Sequence, residues 1–225
     1  MSAPSARPGA SGRVGRPGPA DWLLGTAIGL RAAYGLAMLP LIPLLLASDP
    51  LLLTLLSGST VAEVALGAQV RLGEVAWVVA VLAGLPVWVA TDWLYWAAGR
   101  RWGDSALRRL SGRRGDPRAE QRVERAERLA RRFGPAGVVL APFLPLPGPL
   151  VYAAAGTAEV RLRVFLPLDL LGRALSAVLA VTLGVALGRR AVDLVDTFER
   201  YAGVAALVVV AVVGLALVVR RRRTA

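Results

Sequence analysis

Two acidic residues and one arginine lie inside long apolar stretches of the sequence, where charged side chains are unusual. Asp169 and Arg173 are four residues apart in the run from Val164 to Gly188, so a helix would place them on the same face. Asp92 lies near the end of another apolar run. Ionisable groups at such positions usually face a cavity or a charged partner. We therefore predict that these three residues share a site for a proton or an anionic headgroup.

A structural interpretation of the same residues stays open. Asp169 and Arg173 can form a pair that only neutralises charge. Asp92 is eight residues, or about 12 Å of helix, from Arg100 and can lie near an interface. Because the chain has no His and no Cys, imidazole and thiolate chemistry are excluded. With no close carboxylate pair and no nucleophile motif either, the sequence predicts no metal, no cofactor and no enzyme.

Composition and block length predict that these residues belong to an all-α integral membrane protein. Hydrophobic residues make up 56% of the chain, against about 45–50% in soluble domains. Val75–Thr91 and Val204–Val219 are uncharged runs of seventeen and sixteen residues. About 20 apolar residues cross a membrane as a helix. The predicted spans are Trp22–Ala47 with kinks at Pro40 and Pro43, Glu74–Ala98, Val164–Gly188 and Tyr201–Val219.

The arginines predict the orientation of these spans. All 27 basic residues are arginine, and twelve of them lie between Arg100 and Arg132. Four more form the run Arg220–Arg223. Because basic residues flank the apolar runs, they indicate cytoplasmic loops and contact with lipid headgroups rather than binding of nucleic acid. We expect a plasma-membrane protein with both termini cytoplasmic, and Glu63, Arg71 and Glu74 at the interface.

The same pattern divides the chain into segments. Residues 1–20 are rich in Pro, Gly, Ser and Arg and are predicted to be a disordered cytoplasmic tail. Residues 21–219 form the membrane domain, and 220–225 form a basic tail. Within the domain, 100–134 is a cytoplasmic amphipathic segment. That segment lies either on the membrane surface or in water as a connecting helix.

Pro142–Gly156 is apolar, yet it holds four prolines and two glycines in fifteen residues. Because the segments on both sides are predicted to be cytoplasmic, it must enter the membrane and return. A broken backbone is tolerated at that depth only inside protein or beside water. Leu150–Ala155 would return as a short helix capped by Gly156. The predicted bend consists of Pro142, Pro145, Pro147, Gly148 and Pro149.

Short matches between the two halves predict an inverted repeat of a re-entrant hairpin followed by a spanning helix. GSTVAEV (58–64) is similar to GTAEV (156–160). AAGRRWGD (97–104) is similar to ALGRRAVD (186–193). Inverted repeats with broken helices that meet near the membrane centre are common in transporters.

Two segments resemble the DedA family, also called VTT or SNARE-associated membrane proteins, over about Leu39–Gly188. One is the region around the proline-rich stretch, and the other is TDWLYWAAGRRWG (91–103). In the first, the residues in register are Phe143, Pro145, Ala155, Gly156, Phe165 and Gly172. In the second, they are Asp92, Tyr95 or Trp96, Gly99, Arg100 and Gly103.

The resemblance implies a transporter or scramblase of lipids with anionic headgroups, such as undecaprenyl phosphate or phospholipids, with proton coupling in some members. Membrane lipids are thus the expected partners. The chain is a divergent member, because Pro142 and Gly148 stand where the family's proline loop carries arginines. Asp49 is the acidic residue nearest the first loop and a further candidate for substrate or proton binding. The alternative is a membrane scaffold that keeps the fold without transport.

The predicted orientation can be tested with single cysteines, since the chain has none. Cysteines at Arg118 and Arg222 should react with a membrane-impermeant thiol reagent only after cells are opened, because both positions carry the arginine excess. Labelling of both positions in intact cells would show that the orientation is wrong.

Overall fold

The computed structural model describes residues 18–111 and 117–188, which form helices and no strands. This confirms an all-α membrane protein. The helices are α1 (Pro19–Met38), α2 (Leu41–Ser48), α3 (Pro50–Ser57), α4 (Thr60–Leu72), α5 (Trp77–Leu82), α6 (Leu85–Trp102), α7 (Asp104–Ser111), α8 (Pro117–Phe133), α9 (Ala136–Leu140), a 3-10 turn (Ala141–Phe143), α10 (Gly148–Thr157) and α11 (Leu162–Leu187).

Two of the described helical stretches are long and apolar enough to cross a membrane. They are Trp77–Trp102, which joins α5 and α6, and Leu162–Leu187, and each has 26 residues. At 1.5 Å per residue each is about 39 Å long, enough for a ~30 Å hydrocarbon layer. They agree with the predicted spans Glu74–Ala98 and Val164–Gly188. The predicted span Tyr201–Val219, residues 1–17 of the first predicted tail and all of the second predicted tail lie outside the described residues.

The first predicted span is broken. Helices α1 and α2 meet at 62°, and together they count as a possible third span. The break falls at Leu39 and Pro40. It is expected there because proline has no backbone N–H and cannot continue the helical hydrogen-bond pattern. The kink expected at Pro43 is wrong, since Pro43 lies inside α2. Helix α1 begins at Pro19, within the segment expected to be a tail, because proline is well suited to a first helical turn.

The proline-rich stretch has a broken backbone, as predicted. The 3-10 turn is followed by extended Leu144, and regular helix resumes only at Gly148. Proline is tolerated in the first turn of α10, where Pro149 lies. The cap predicted at Gly156 is wrong. Gly156 lies inside α10, where a Cβ atom would collide with the backbone of Trp96 on α6.

The arginine-rich segment covers the returning limb of this hairpin. Leu107 of α7 and Ala126 of α8 are fully buried against Leu150, Ala153 and Ala154 of α10. The apolar face of α8 is therefore occupied by protein, and its exposed face carries the arginines. The segment is amphipathic as predicted, but neither lipid nor water alone lies on its apolar side. This packing encloses α10 between α6 and α8.

Each half of the chain contains a hairpin, α3–α4 in the first half and α9–α10 in the second, and its returning helix packs on the span of the other half. Helix α4 packs most extensively on α11, and α10 packs most extensively on α6. Glycines allow close approach in both pairs. Gly67 of α4 faces Gly184 of α11, and both Gly156 of α10 and Gly99 of α6 lie where their two helices touch. This exchange is the pattern expected of two related units. The Ala-Glu-Val matches are not equivalent, because the first starts α4 and the second follows α10.

The close contact between α10 and α6 generates a stability prediction. Gly156→Ala should lower the melting temperature in detergent by about 5 °C or more, since overpacking a tight site costs ~1–3 kcal/mol. Gly29→Ala is the matched control, because nothing lies within 4 Å of its added Cβ. Alanine is favoured over glycine inside a helix by ~1 kcal/mol, so this control should be neutral or stabilising. Equal melting temperatures for the two variants would contradict the packing.

Candidate functional site

A buried ion pair joins the two long spans. Arg173 of α11 donates hydrogen bonds from Nε and from Nη2 to Oδ2 of Asp92 on α6, at 3.1 and 2.8 Å. The side chain of Asp92 is 3% exposed and that of Arg173 is 15% exposed. A charge-assisted pair of this kind is strong when desolvated, but breaking it leaves an uncompensated charge.

The pair lies near the middle of the spans. Asp92 is ten residues before the end of α6 at Trp102, about 15 Å along the helix. Arg173 is eleven residues after the start of α11 at Leu162, about 17 Å along it. Half of the ~30 Å hydrocarbon layer is also about 15 Å. The two charges are therefore level with each other and far from both ends of the spans Trp77–Trp102 and Leu162–Leu187.

Aromatic rings hold the guanidinium of Arg173. Its carbon lies 3.7 Å from the centre of the Trp88 ring and 5.7 Å from that of Tyr152. Both distances suit cation–π attraction, which is strengthened where water is excluded. The Trp88 indole in turn packs against Gly58, which turns between α3 and α4 with a φ of +63°. A side chain at Gly58 would occupy the place of the indole.

Arg173 also reaches the second hairpin. Its Nη2 atom lies 3.9 Å from the position that a Cβ atom on Gly148 would take. Gly148 begins α10 directly after the proline-rich bend. The guanidinium therefore lies between the turn of the first hairpin, through Trp88, and the bend of the second.

Asp169 is a more distant partner of Arg173. Its Oδ1 lies 4.0 Å from Nε of Arg173, and its side chain is 1% exposed. The Tyr152 hydroxyl is close enough to interact with this carboxyl electrostatically. Neither Asp169 Oδ1 nor the Tyr152 hydroxyl has a hydrogen-bond partner in the described structure. Buried polar atoms are normally paired, so a small shift that lets the Tyr152 hydroxyl donate to the neighbouring Asp169 carboxyl would satisfy both atoms.

Glu63 is a third buried acid beside this group. It lies on α4 with 4% exposure, so its predicted place at the interface is wrong. Its side chain interacts electrostatically with Arg173, and its Oε1 packs 2.9 Å from the Cβ position of Gly84. Three buried carboxyls thus act electrostatically on one buried guanidinium, and two of them, Asp92 and Asp169, lie within 4.0 Å of it. Uncompensated charge is costly at membrane depth, so the group requires a further positive charge or protons.

A comparison with known protein families identifies the family of this chain. A family model for the VTT domain matches residues 55–186, which is more than half of the chain. The chain belongs to the DedA family. This confirms the predicted resemblance, although the match starts at residue 55 rather than at Leu39. No curated protein and no solved structure matches the chain significantly.

The structure brings three of the predicted site residues of this DedA-family chain together: Asp92, Asp169 and Arg173. Asp49 lies apart from them. It is exposed and accepts a hydrogen bond from the backbone N–H of Leu52 at 2.9 Å, as the N-cap of α3. Caps of this type stabilise a helix by about 1 kcal/mol, which accounts for an acid at this position.

Glu63, Trp88 and Tyr152 are the members of the site that sequence reasoning missed. Glu63 interrupts an apolar run among small residues, the same signal that singled out Asp92. The two aromatic residues gave no signal, because aromatic side chains in apolar segments are usually core or lipid contacts.

The charge imbalance generates a prediction for folding. Arg173→Gln should reduce thermal stability in detergent sharply, because removal of one partner of a buried pair costs about 3–5 kcal/mol. Addition of Asp92→Asn should restore much of the loss by removing one of the stranded carboxylates. Lower pH should also stabilise Arg173→Gln more than the parent, since protons neutralise the carboxyls that the arginine leaves behind.

Arg163→Gln is the control for this experiment, because it removes the same charge from an exposed position on α11. Its melting temperature should match the parent's across the pH range. If Arg173→Gln is as stable as this control at neutral pH, the buried pair does not hold the spans together.

Proposed function

We propose that the protein moves lipids with anionic headgroups across the plasma membrane and that Arg173 binds the headgroup phosphate. The observation that carries the proposal is the place of this guanidinium, at the level of the membrane centre and between the two hairpins. Gly148 stands where the resemblance places a loop arginine. Arg173 enters the space beside Gly148 from another helix. A positive charge at the bend is thus supplied from a different position in the sequence.

Guanidinium chemistry suits the proposed substrate. The planar fork of arginine binds two oxygens of a phosphate at once, and arginine is less strongly hydrated than lysine. The Trp88 ring fixes the plane of the fork at 3.7 Å. An oriented guanidinium loses less entropy when it binds, which favours recognition at a fixed depth. The reaction moves a lipid without making or breaking covalent bonds.

Protons provide the means of exchange. Arg173 is bound to Asp92 in the described structure, so a phosphate must replace that carboxylate. A proton on Asp92 weakens the pair and leaves the guanidinium available. The incoming phosphate then restores the negative charge that the proton removed. Lipid anion and proton would therefore cross together, with little change in buried charge. When the headgroup leaves on the other side, Asp92 releases its proton to water there, directly or by way of Glu63 and Asp169, and pairs with Arg173 again.

The burial of the pair favours a second candidate, a membrane scaffold without transport. Asp92, Asp169 and Arg173 have side-chain exposures of 3%, 1% and 15%, so a headgroup can reach them only after a conformational change. A scaffold would need the pair only to join α6 to α11. The two functions differ in whether lipid moves and in whether a folded protein can lose the pair without consequence.

The deciding experiment uses vesicles of phosphatidylcholine and phosphatidylglycerol with a trace of headgroup-labelled phosphatidylglycerol. The parent should expose inner-leaflet label to an external quencher faster than protein-free vesicles do, and faster still with a proton gradient. The variant Asp92→Asn/Arg173→Gln, which keeps the buried charge low, should fold and lose about tenfold or more of the rate. A bidentate charge-assisted contact is worth ~1.5–3 kcal/mol, which sets this magnitude.

Arg163→Gln should transport at the parent rate, because its charge lies outside the site. If the parent moves no lipid with or without a proton gradient, the scaffold is the better account. If the parent moves lipid and the folded double variant does so equally fast, transport is real but Arg173 does not bind the headgroup.

A further inference from the structure

A second arginine lies at membrane depth, on α1, outside the residues that match the family model. Asp21, near the start of α1, accepts hydrogen bonds from Arg101 and from Trp102 at the end of α6. Arg31 is ten residues further along α1, about 15 Å from this clasp. It is therefore level with Thr91, ten residues before Arg101 on the antiparallel helix.

Among the described residues, the guanidinium of Arg31 has no ion-pair partner, and Asp92 acts on it only electrostatically from a greater distance. Its Nε is buried and has no hydrogen-bond partner. Its carbon lies 5.8 Å from the centre of the Tyr34 ring. An unpaired arginine at this depth costs ~2.5–3.5 kcal/mol on insertion scales, so a bound anion would be stabilising.

Arg31 faces an open groove of about 400 Å³ between α1, α3 and α6. The groove walls are formed by Leu30, Leu55, Leu56, Val87 and Thr91 in addition to Arg31 and Tyr34. The Tyr34 hydroxyl donates to the Leu56 carbonyl at 3.0 Å and fixes one edge. One cation in an otherwise apolar groove matches a molecule with one anionic group and a hydrocarbon chain.

We infer that this groove binds a phospholipid, with its phosphate on Arg31 and an acyl chain along the leucines. A free phosphate ion would gain nothing from the apolar walls. The inference rests on the proposed function, because a lipid that crosses the bilayer must carry its headgroup past this level. Thr91 is adjacent in sequence to Asp92, so the groove lies beside the buried pair.

The test measures lipid bound to the purified full chain in detergent by native mass spectrometry. The probes are phosphatidylglycerol, diacylglycerol, which lacks the phosphate, and inorganic phosphate. The parent should retain phosphatidylglycerol in preference to diacylglycerol, and inorganic phosphate should compete weakly. Arg31→Gln should lower phosphatidylglycerol binding about tenfold, as loss of a charge-assisted contact implies. Arg31→Lys should fall between the two, since lysine keeps the charge without the fork.

Two further variants keep the result interpretable. Val87→Trp fills the groove while Arg31 stays, and it should lower binding as Arg31→Gln does. Arg163→Gln should bind as the parent does. Retention of phosphatidylglycerol by both groove variants at the parent level would overturn the inference, as would equal binding of phosphatidylglycerol and diacylglycerol by the parent. Strong competition by inorganic phosphate would show a free-ion site instead.

Failure of the proposed function gives a different result. If the parent binds phosphatidylglycerol through Arg31 but moves no lipid in vesicles, the groove is a static lipid site and the transport proposal fails. If the parent moves lipid and Arg31→Gln binds and moves it equally well, transport stands and the groove inference fails.

Discussion

Charge compensation inside an apolar medium is the constraint on which the rest of this structure depends. Asp92 lies about 15 Å and Arg173 about 17 Å from the nearer end of its span, and an isolated charge at that depth is costly. Their hydrogen bonds hold α6 against α11. The aromatic rings of Trp88 and Tyr152 then bind the same guanidinium. One arginine thereby connects both spans with both hairpins.

Protection of the broken backbone is the second requirement. Helix α10 follows a bend that cannot form regular hydrogen bonds, and lipid would not satisfy its backbone groups. The fold encloses α10 by close contact with α6 at Gly156 and by the apolar face of α8. The arginine-rich segment therefore covers the hairpin, besides the orientation that its charge predicts. Its polar face meets water while its apolar face covers the hairpin.

Much of this organisation was predictable from sequence. The length of the apolar runs predicted both described spans, and each predicted end lies within a few residues of the observed one. The proline density predicted the bend before Gly148, because proline removes a backbone donor and prevents regular helix. Three wrong expectations, a kink at Pro43, a cap at Gly156 and an interfacial Glu63, concern residues whose role depends on their neighbours. Gly156 is small because a helix from the other half passes it, and no local pattern reveals that contact.

The sequence by itself determined that Asp92, Asp169 and Arg173 lie inside membrane segments and that the last two share a helix face. It could not decide which acid binds the arginine. The i,i+4 spacing favoured Asp169, but that carboxyl is 4.0 Å away, whereas Asp92, 81 positions distant, lies at 2.8 Å. Spacing along one helix is fixed by the helical repeat. The distance between helices is fixed by how their small residues pack, and only the tertiary structure decides it.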